Sequence, residues 1–127
     1  MRMLLASIIC LMMVLESSSP CKIMLTIISK TVNPFLFQAI VPAIRVKTAI
    51  TEFVYKEQTR VTVVEGMKCH EKRWILKTWK KLGSQWVAAK ERRMKLDGNG
   101  RLNITVFDNY VPILYSRMGI VCSFGPC

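Results

Sequence analysis

Cysteine and histidine are the side chains in this sequence whose types and spacing are most informative about chemistry. The chain has five cysteines and a single histidine, His70. Cys10 lies in an apolar N-terminal stretch that we expect to be removed as a leader. An even number of cysteines behind a leader predicts disulfide bonds, because the secretory compartment is oxidising, but the sequence leaves every pairing open. The four remaining cysteines are Cys21, Cys69, Cys122 and Cys127.

Catalytic and metal chemistry have little support in these residues. His70 directly follows Cys69, and no serine or aspartate stands at a spacing typical of a nucleophile or its base. A zinc site needs closely spaced cysteine or histidine pairs, and only Cys69-His70 and the segment 122–127 approach that pattern. We therefore predict no enzymatic activity, no metal ion and no other cofactor.

The segment 97–100, Asp-Gly-Asn-Gly, superficially resembles half a calcium loop. If Asp97 and Asn99 took the third and fifth ligand positions, Lys95 would stand at the first and Val106 at the twelfth, where carboxylates are required. Glycine accepts positive φ and asparagine tolerates it. We therefore predict that the segment is a turn.

Asn103-Ile104-Thr105 is a sequon for N-linked glycosylation, and the other asparagines lack a usable one. Alternation of apolar and polar residues predicts a strand over 102–107, in which Asn103 faces outward. We predict a glycan at Asn103; the alternative is a chance tripeptide.

Positive charge is concentrated in one part of the chain, whose formal net charge is +11. Between residues 68 and 101 there are three acidic residues and eleven basic ones. One interpretation is a solvated surface that keeps the protein soluble, and the other is a patch for a polyanion. Outside the cell, that polyanion is a sulfated glycan or an anionic lipid head group rather than nucleic acid. The basic residues are Lys68, Lys72, Arg73, Lys77, Lys80, Lys81, Lys90, Arg92, Arg93, Lys95 and Arg101.

The N-terminus has the layout of a signal peptide. Arg2 is followed by an apolar run over residues 4–15 and then by small and polar residues over 16–20. A run of this length is shorter than the roughly 20 residues that a membrane-spanning helix needs. We predict a signal peptide over 1–17, cleavage near Ser17 and a secreted, extracellular protein.

A second apolar stretch over 23–44 is interrupted by polar residues and by Pro34 and Pro42, so we predict no transmembrane span there. We expect it to be extended, with an edge strand near residues 39–48. From Ile44 onward, short apolar runs alternate with turn residues, which predicts an all-β domain.

Individual strands can be assigned within this domain. Parity over 60–69 places Val61, Val63, Met67 and Cys69 on the buried face. A strand over 74–79 is closed by a turn at 83–84, and a further strand follows over 85–89. The alternative for residues 88–96 is a short basic helix. Further apolar segments lie at 111–115 and 118–122.

In this order, these residues resemble an immunoglobulin-superfamily domain of the intermediate type. The segment 60–69 resembles the strand that carries the first core cysteine, and Trp79-Lys80-Lys81-Leu82-Gly83 resembles the Trp-x-Lys-x-Gly motif of the buried tryptophan. The segment 93–104 resembles the approach to the Leu-x-Ile strand. The resemblance covers about residues 45–122. Before Cys122 the Asp-x-Gly-x-Tyr pattern is missing, and the chain stops too soon after it for the family's final strand.

The resemblance implies an immunoglobulin-like β-sandwich over 45–127 that lacks its final strand, preceded by an N-terminal apolar segment over 18–44. It implies a disulfide between Cys69 and Cys122, packed against Trp79 in the core, with Trp74 as the alternative ring. Cys21 and Cys127 would then form the second pair.

Two functions follow as expectations. The first is a secreted, non-catalytic recognition domain that binds an extracellular or cell-surface protein through a sheet face or edge, as the resemblance implies. The second is a basic secreted protein that acts on membranes or sulfated glycans, with residues 68–101 and their tryptophans as the working surface.

Overall fold

A computed structural model describes residues 20–127. The predicted signal peptide over 1–17, its cleavage site and Cys10 lie outside these residues. The described chain is built of β-strands, with two short 3₁₀ turns and no α-helix, so the predicted all-β class is confirmed. None of its helices is long and apolar enough to cross a membrane.

Eight strands follow one another along the described chain. The 3₁₀ turns are Pro42–Ile44 and Cys69–Glu71. The strands are β1 (Pro20–Ser29), β2 (Phe35–Val41), β3 (Val46–Lys47), β4 (Thr51–Phe53), β5 (Thr59–Met67), β6 (Trp74–Leu82), β7 (Gln85–Val106) and β8 (Pro112–Ser123).

The long strand β7 joins two sheets. Its second half pairs with β1 in parallel and with β8 antiparallel, and β5 completes this sheet on the far side of β1; we call it sheet I. Its first half pairs with β6, which is followed by β2 and then by β3 and β4; we call this sheet II. Together they form one nearly closed, barrel-like sheet. The finer arrangement, a sandwich, is not established by this topology.

Alternation of apolar and polar residues explains how the strands enclose a core. In β1, the side chains of Cys21, Ile23 and Leu25 are fully buried, while the residues between them are exposed or half-buried. Strand β2 alternates in the same way, with Phe35 and Phe37 inward. Side chains of successive strand residues point to opposite faces, so each strand contributes one apolar row to the interior.

The apolar segment before residue 45 supplies central strands. Strand β1 lies between β5 and β7, and β2 has partners on both of its sides. The predicted edge strand near 39–48 is therefore wrong for residues 39–41, which belong to β2. The two-residue strand β3 follows within that range, and in the described part of the chain it pairs with β2 alone.

The hairpin between β6 and β7 has the predicted two-residue connection. Leu82 pairs with Gln85 across Gly83 and Ser84, and Gly83 has a φ of 64°, which glycine adopts without strain. The alternative of a helix over 88–96 is wrong, because these residues continue in β7 opposite β6.

The segment 97–100 continues as strand, so the predicted turn is wrong. It pairs with β8 through a register shift between Gly98 and Arg101. Gly98 has a φ of 113° and Gly119, on the facing strand, has a φ of 75°. A Cβ on either glycine would overlap backbone of the other strand. Glycine's tolerance of positive φ was the basis for predicting a turn. Here it allows two strands to approach each other closely.

Strand β5 buries the face opposite to the predicted one. Val64 is fully buried, whereas Val61, Val63 and Met67 are 58%, 48% and 48% exposed. The prediction counted the parity through to Cys69, but Lys68 adopts a left-handed conformation with φ 57° and ends the strand's alternation. Cys69 is buried from the following 3₁₀ turn instead.

The disulfides differ from the pairing that the resemblance implies. Cys21 is bonded to Cys69, and Cys122 to Cys127, so the expected bonds Cys69–Cys122 and Cys21–Cys127 are wrong. Strand β1 runs antiparallel to β5 with Cys21 opposite Gly66, which brings Cys21 beside the turn that carries Cys69.

The core tryptophan is Trp74. Its side chain is fully buried, and its Nε1 donates a hydrogen bond of 3.0 Å to the Cys69 carbonyl. Trp79, the expected core ring, is half-buried. The two differ because Trp74 has the inward parity of β6 together with Leu76, whereas Trp79 has the outward parity.

Candidate ligand-binding face

The outer face of sheet II carries aromatic and basic side chains side by side. In β6, the inward residues Trp74, Leu76 and Thr78 are buried. The residues of the other parity therefore face away from the core. They include Lys77, Trp79 and Lys81.

Two tryptophans from neighbouring strands meet on this face. Trp79 pairs with Ala88 of β7 and with Leu36 of β2, and Lys81 pairs with Trp86. Trp79 and Trp86 are thus diagonal neighbours across the β6–β7 ladder, a separation of about 7 to 8 Å between backbones. Both rings are half-buried, which leaves part of each indole at the surface.

Each tryptophan is accompanied by a lysine. Lys77 Nζ lies 5.1 Å from the centre of the Trp79 ring, and Lys81 Nζ lies 5.6 Å from that of Trp86. Both distances are within the roughly 6 Å over which a cation is attracted to an aromatic face. We call the surface formed by Leu36, Lys77, Trp79, Lys81 and Trp86 the tryptophan face.

A β-bulge shapes the middle of this surface. The register shifts between Thr78, which pairs with Lys90, and Trp79, which pairs with Ala88, so Ala89 is the additional residue of β7. A shallow hollow of about 160 Å³ lies at this bulge. It is lined by Lys77, Thr78, Ala88, Ala89, Lys90 and Glu91.

The acidic residues between positions 68 and 101 are all engaged by neighbours. Glu91 contacts Arg93 at 3.2 Å, Glu71 contacts Lys68 at 3.9 Å, and Asp97 contacts His70 at 3.3 Å. Of the eleven basic residues, all except Lys68 and Arg93 are without an ion pair in residues 20–127, which leaves nine. Their positive charge is not neutralised within the described chain.

The predicted polyanion patch does not form a single surface. Lys77, Lys81 and Arg93 have the outward parity of sheet II. Lys80, Lys90 and Arg92 have the opposite parity of β6 and β7, while Lys68, Lys72 and Arg73 lie around the second 3₁₀ turn. Lys95 Nζ stands 4.7 Å from the Phe124 ring, and Arg101 belongs to sheet I.

His70 has a neighbour that the sequence did not indicate. Its Nδ1 lies 3.3 Å from Asp97 Oδ2, because the 3₁₀ turn packs on β7, although Nδ1 has no partner with hydrogen-bond geometry in the described chain. The described residues contain no cluster of three or more histidine, cysteine or carboxylate side chains that could hold a metal ion.

Asn103 lies on the outer face of sheet I. Its neighbours in sequence, Leu102 and Ile104, are fully buried, so its side chain points away from the core as predicted from alternation. It pairs with Thr26 of β1 and Ser116 of β8. Glycosylation itself stays a prediction.

Comparison with known proteins gives no family. No protein-family model matches the chain, and no curated protein matches it. Among solved structures, the crystal structure of listeriolysin O is similar to 77% of this chain with 10% sequence identity and a TM-score of 0.33. The matched part is 22% of that chain. A similarity at this level carries no conclusion about fold or function.

Proposed function

We propose that this protein is a secreted, non-catalytic recognition domain that binds sulfated glycans through the tryptophan face. The observation that carries the proposal is the pair of lysine-capped indoles, Lys77 on Trp79 and Lys81 on Trp86, on one sheet surface. The tryptophan face combines apolar indole surface with lysines that make no ion pair in the described chain. A sulfated sugar chain is complementary to both, because it carries apolar C–H groups and negative sulfates.

The apolar part of the ligand would contact the indoles. Faces of sugar rings carry C–H groups, and a partly exposed tryptophan offers a broad rigid surface for them at low entropic cost. Leu36 and Ala88 flank Trp79 across the sheet and extend this platform.

The charged part would contact the lysines. A lysine held over an indole keeps its ammonium group at the surface, where it interacts with sulfate as a point charge. Arg93 lies on the same side of the sheet, but its guanidinium forms an ion pair with the Glu91 carboxylate at 3.2 Å. We therefore assign the larger contribution to Lys77 and Lys81.

An extracellular location agrees with this function. Two disulfides in a chain of 127 residues fit an oxidising compartment. We expect a protein expressed in eukaryotic cells to appear in the medium with its N-terminus near Ser18. N-terminal sequencing of the secreted protein tests this, and an intact Met1 on soluble cytosolic protein would contradict it.

The proposal is tested by titrating the protein with a heparin-type oligosaccharide in 50 to 300 mM NaCl, with heat as the readout. The double variant K77Q/K81Q should bind about tenfold more weakly, which corresponds to about 1.4 kcal/mol. Affinity should also fall steeply with salt, because surface charges are screened. The matched control is K22Q/K56Q, which removes the same charge away from the face and should change affinity less than about twofold.

Trp79→Ala separates stacking from charge. It keeps both lysines and should weaken binding by about five- to tenfold at high salt as well as at low salt, because indole contacts are not screened. The tryptophan face would be refuted as the site if K77Q/K81Q and K22Q/K56Q lost the same affinity. Unchanged binding in Trp79→Ala would refute it as well.

A second candidate function, recognition of an extracellular protein, is supported by strand β5. Within residues 20–127 it pairs with β1 alone, through nine consecutive pairs and without a bulge. Val61, Val63 and Met67 are exposed beside its free edge. An edge strand of this kind accepts an extended segment from another protein through backbone hydrogen bonds.

This candidate is tested by selecting displayed peptides on the immobilised protein. Extended peptides with alternating β-branched residues should be enriched and should lose binding in V61K/V63K, since charge on an edge strand opposes pairing. K77Q/K81Q should retain them. Selected peptides that bind V61K/V63K unchanged would exclude the β5 edge.

The immunoglobulin-like classification stays a prediction. An all-β fold and a buried tryptophan beside a disulfide are compatible with it, whereas the disulfide itself joins Cys21 to Cys69. An experimental structure with its strand order would decide the classification.

A further inference from the structure

A pocket at the surface of sheet I, which we call the arginine pocket, is lined by two arginines. It has a volume of about 300 Å³ and is lined by Arg101, Asn103, Ser116, Arg117 and Met118. None of these residues belongs to the tryptophan face, and the pocket lies on β7 and β8 of the other sheet. The pocket is therefore separate from the surface to which the proposed function is assigned.

The pocket lies on a stretch of the β7–β8 ladder that has an irregularity on each side. Arg101, Leu102 and Asn103 pair regularly with Met118, Arg117 and Ser116. A register shift precedes these pairs, at Gly98 to Arg101, and another follows them, between Asn103 and Ile104. Bulges bend a strand and redirect its side chains, and they are frequent beside binding sites.

The second shift has a visible effect on β8. Asn103 pairs with Ser116 and Ile104 with Leu114, which leaves Tyr115 as the additional residue. Arg117 pairs with the buried Leu102, yet Arg117 itself is exposed and lines the pocket. Its long side chain can reach the surface from this position, as arginine side chains commonly do.

The charges in the pocket are all of one sign. Arg101 and Arg117 make no ion pair in residues 20–127, and no carboxylate lines the pocket. The Arg101 side chain donates a weak hydrogen bond from its Nη2 to Met118 Sδ at 3.9 Å. The guanidinium donors are therefore available to a ligand.

We propose that this pocket binds a tetrahedral oxyanion, the sulfate or phosphate ester group of a small ligand. Two guanidinium groups supply paired N–H donors that match the oxygens of such a group, and they stay charged at all physiological pH values. The Ser116 hydroxyl and the Asn103 amide add neutral donors beside them. The pocket volume is at the lower end for ligand sites, which fits a single ester-bearing sugar.

The position of Asn103 adds a consequence. Asn103 lines the pocket, and its side-chain amide nitrogen is the acceptor atom of the sequon. A glycan attached there would occupy the same space as the ligand. Anion binding and glycosylation at Asn103 therefore exclude each other.

The test is an NMR titration of the disulfide-bonded, non-glycosylated protein with glucosamine 6-sulfate and, separately, with glucose 6-phosphate. Backbone amides of 101–103 and 116–118 should shift, with millimolar affinity. The stronger of the two ligands identifies the ester. R101Q and R117Q should each weaken binding at least about fivefold, and the double variant should abolish it.

The matched control is R45Q/R60Q, which removes two arginines elsewhere on the chain and should bind normally. A glycosylated preparation, verified by its mass, should not bind either ligand. The proposal is overturned if these amides do not shift, if R45Q/R60Q loses as much affinity as R101Q/R117Q, or if the glycosylated protein binds equally well. Shifts confined to the tryptophan face would also overturn it while leaving the proposed function intact.

Discussion

Trp74 combines a fully buried ring with a satisfied polar atom. Its Nε1 hydrogen bond to the Cys69 carbonyl fixes the 3₁₀ turn against β6, and Cys69 is bonded in turn to Cys21 of β1. One side chain thus connects strands of both sheets. Indole burial of this kind contributes both apolar area and a buried hydrogen bond to stability.

We expect Trp74→Phe to destabilise the protein by about 2 to 4 kcal/mol, because it leaves a cavity and an unpaired buried carbonyl. Urea unfolding followed by circular dichroism measures the change. The matched variant Trp86→Phe, at a half-buried surface position, should cost less than about 1 kcal/mol. Similar costs for the two variants would contradict the assignment of Trp74 to the core.

Gly100 tests the close approach of β7 and β8. A Cβ at this position would overlap the Met118 carbonyl oxygen, whereas a Cβ at Gly83 meets nothing within 4 Å. Gly100→Ala should therefore destabilise the fold by more than about 2 kcal/mol, and Gly83→Asn by less than about 1 kcal/mol, since asparagine tolerates the φ of 64°. Thermal unfolding of both variants provides the comparison.

Among the elements, β7 determines the architecture because it belongs to both sheets. Its 22 residues pair with β6 in the first half and with β1 and β8 in the second. Buried Met94 and Leu96 lie where the pairing passes from one sheet to the other. A single continuous strand therefore sets the positions of the tryptophan face and of the arginine pocket.

The two disulfides should differ in their effects on stability. The Cys21–Cys69 bond closes a loop with a sequence separation of 48, and the Cys122–Cys127 bond one of 5. The chain-entropy estimate is about 4 kcal/mol for the first and about 2 kcal/mol for the second. Guanidinium unfolding of C21S/C69S and C122S/C127S measures both. Non-reducing peptide mapping that finds Cys69 joined to Cys122 would overturn this arrangement.

The sequence predicted where strands occur better than it predicted which face of each strand is buried. The alternation of Leu102, Ile104 and the polar residues between them identified a strand and its buried face correctly. In β5, the parity with more apolar residues, Val61, Val63 and Met67, is the exposed one and Val64 of the other parity is buried, so the pattern indicated the wrong face. Which of two tryptophans is buried depends on the parity of β6, and nothing local fixes that parity.

The candidate sites depend on pairing between strands that are distant in sequence, which no local pattern predicts. The tryptophan face needs the bulge at Thr78, and the arginine pocket needs register shifts between β7 and β8. His70 meets Asp97 only because the 3₁₀ turn packs against β7. Residue types in the basic segment indicated an anionic ligand, but the segment alone could not show that its charges are divided between two sheets.

For the molecule as a whole, the net charge of +11 is the dominant electrostatic property. Most basic residues in the segment 68–101 have no acidic neighbour within 4.0 Å in the described chain. Self-repulsion of this kind opposes the compact state and is screened by salt.

We therefore expect the urea midpoint to rise between 20 and 300 mM NaCl at neutral pH. The variant K72Q/R73Q removes two charges from the segment and should reduce this dependence, while E57Q, which breaks the 2.8 Å pair with Lys30 and makes the protein more positive, should increase it. A midpoint that is independent of salt in all three proteins would show that self-repulsion is negligible.

The central position of β1 has a consequence for biosynthesis. Lys22 pairs in parallel with Asn99, 77 positions later in the chain, and β5 begins only at residue 59. Strand β1 therefore leaves the ribosome well before either partner emerges, so its backbone stays open to other chains during translation. Assembly of the sheet is a late event governed by distant contacts, which are slow to form. We expect the nascent protein to depend on a chaperone that shields β1 until β7 emerges.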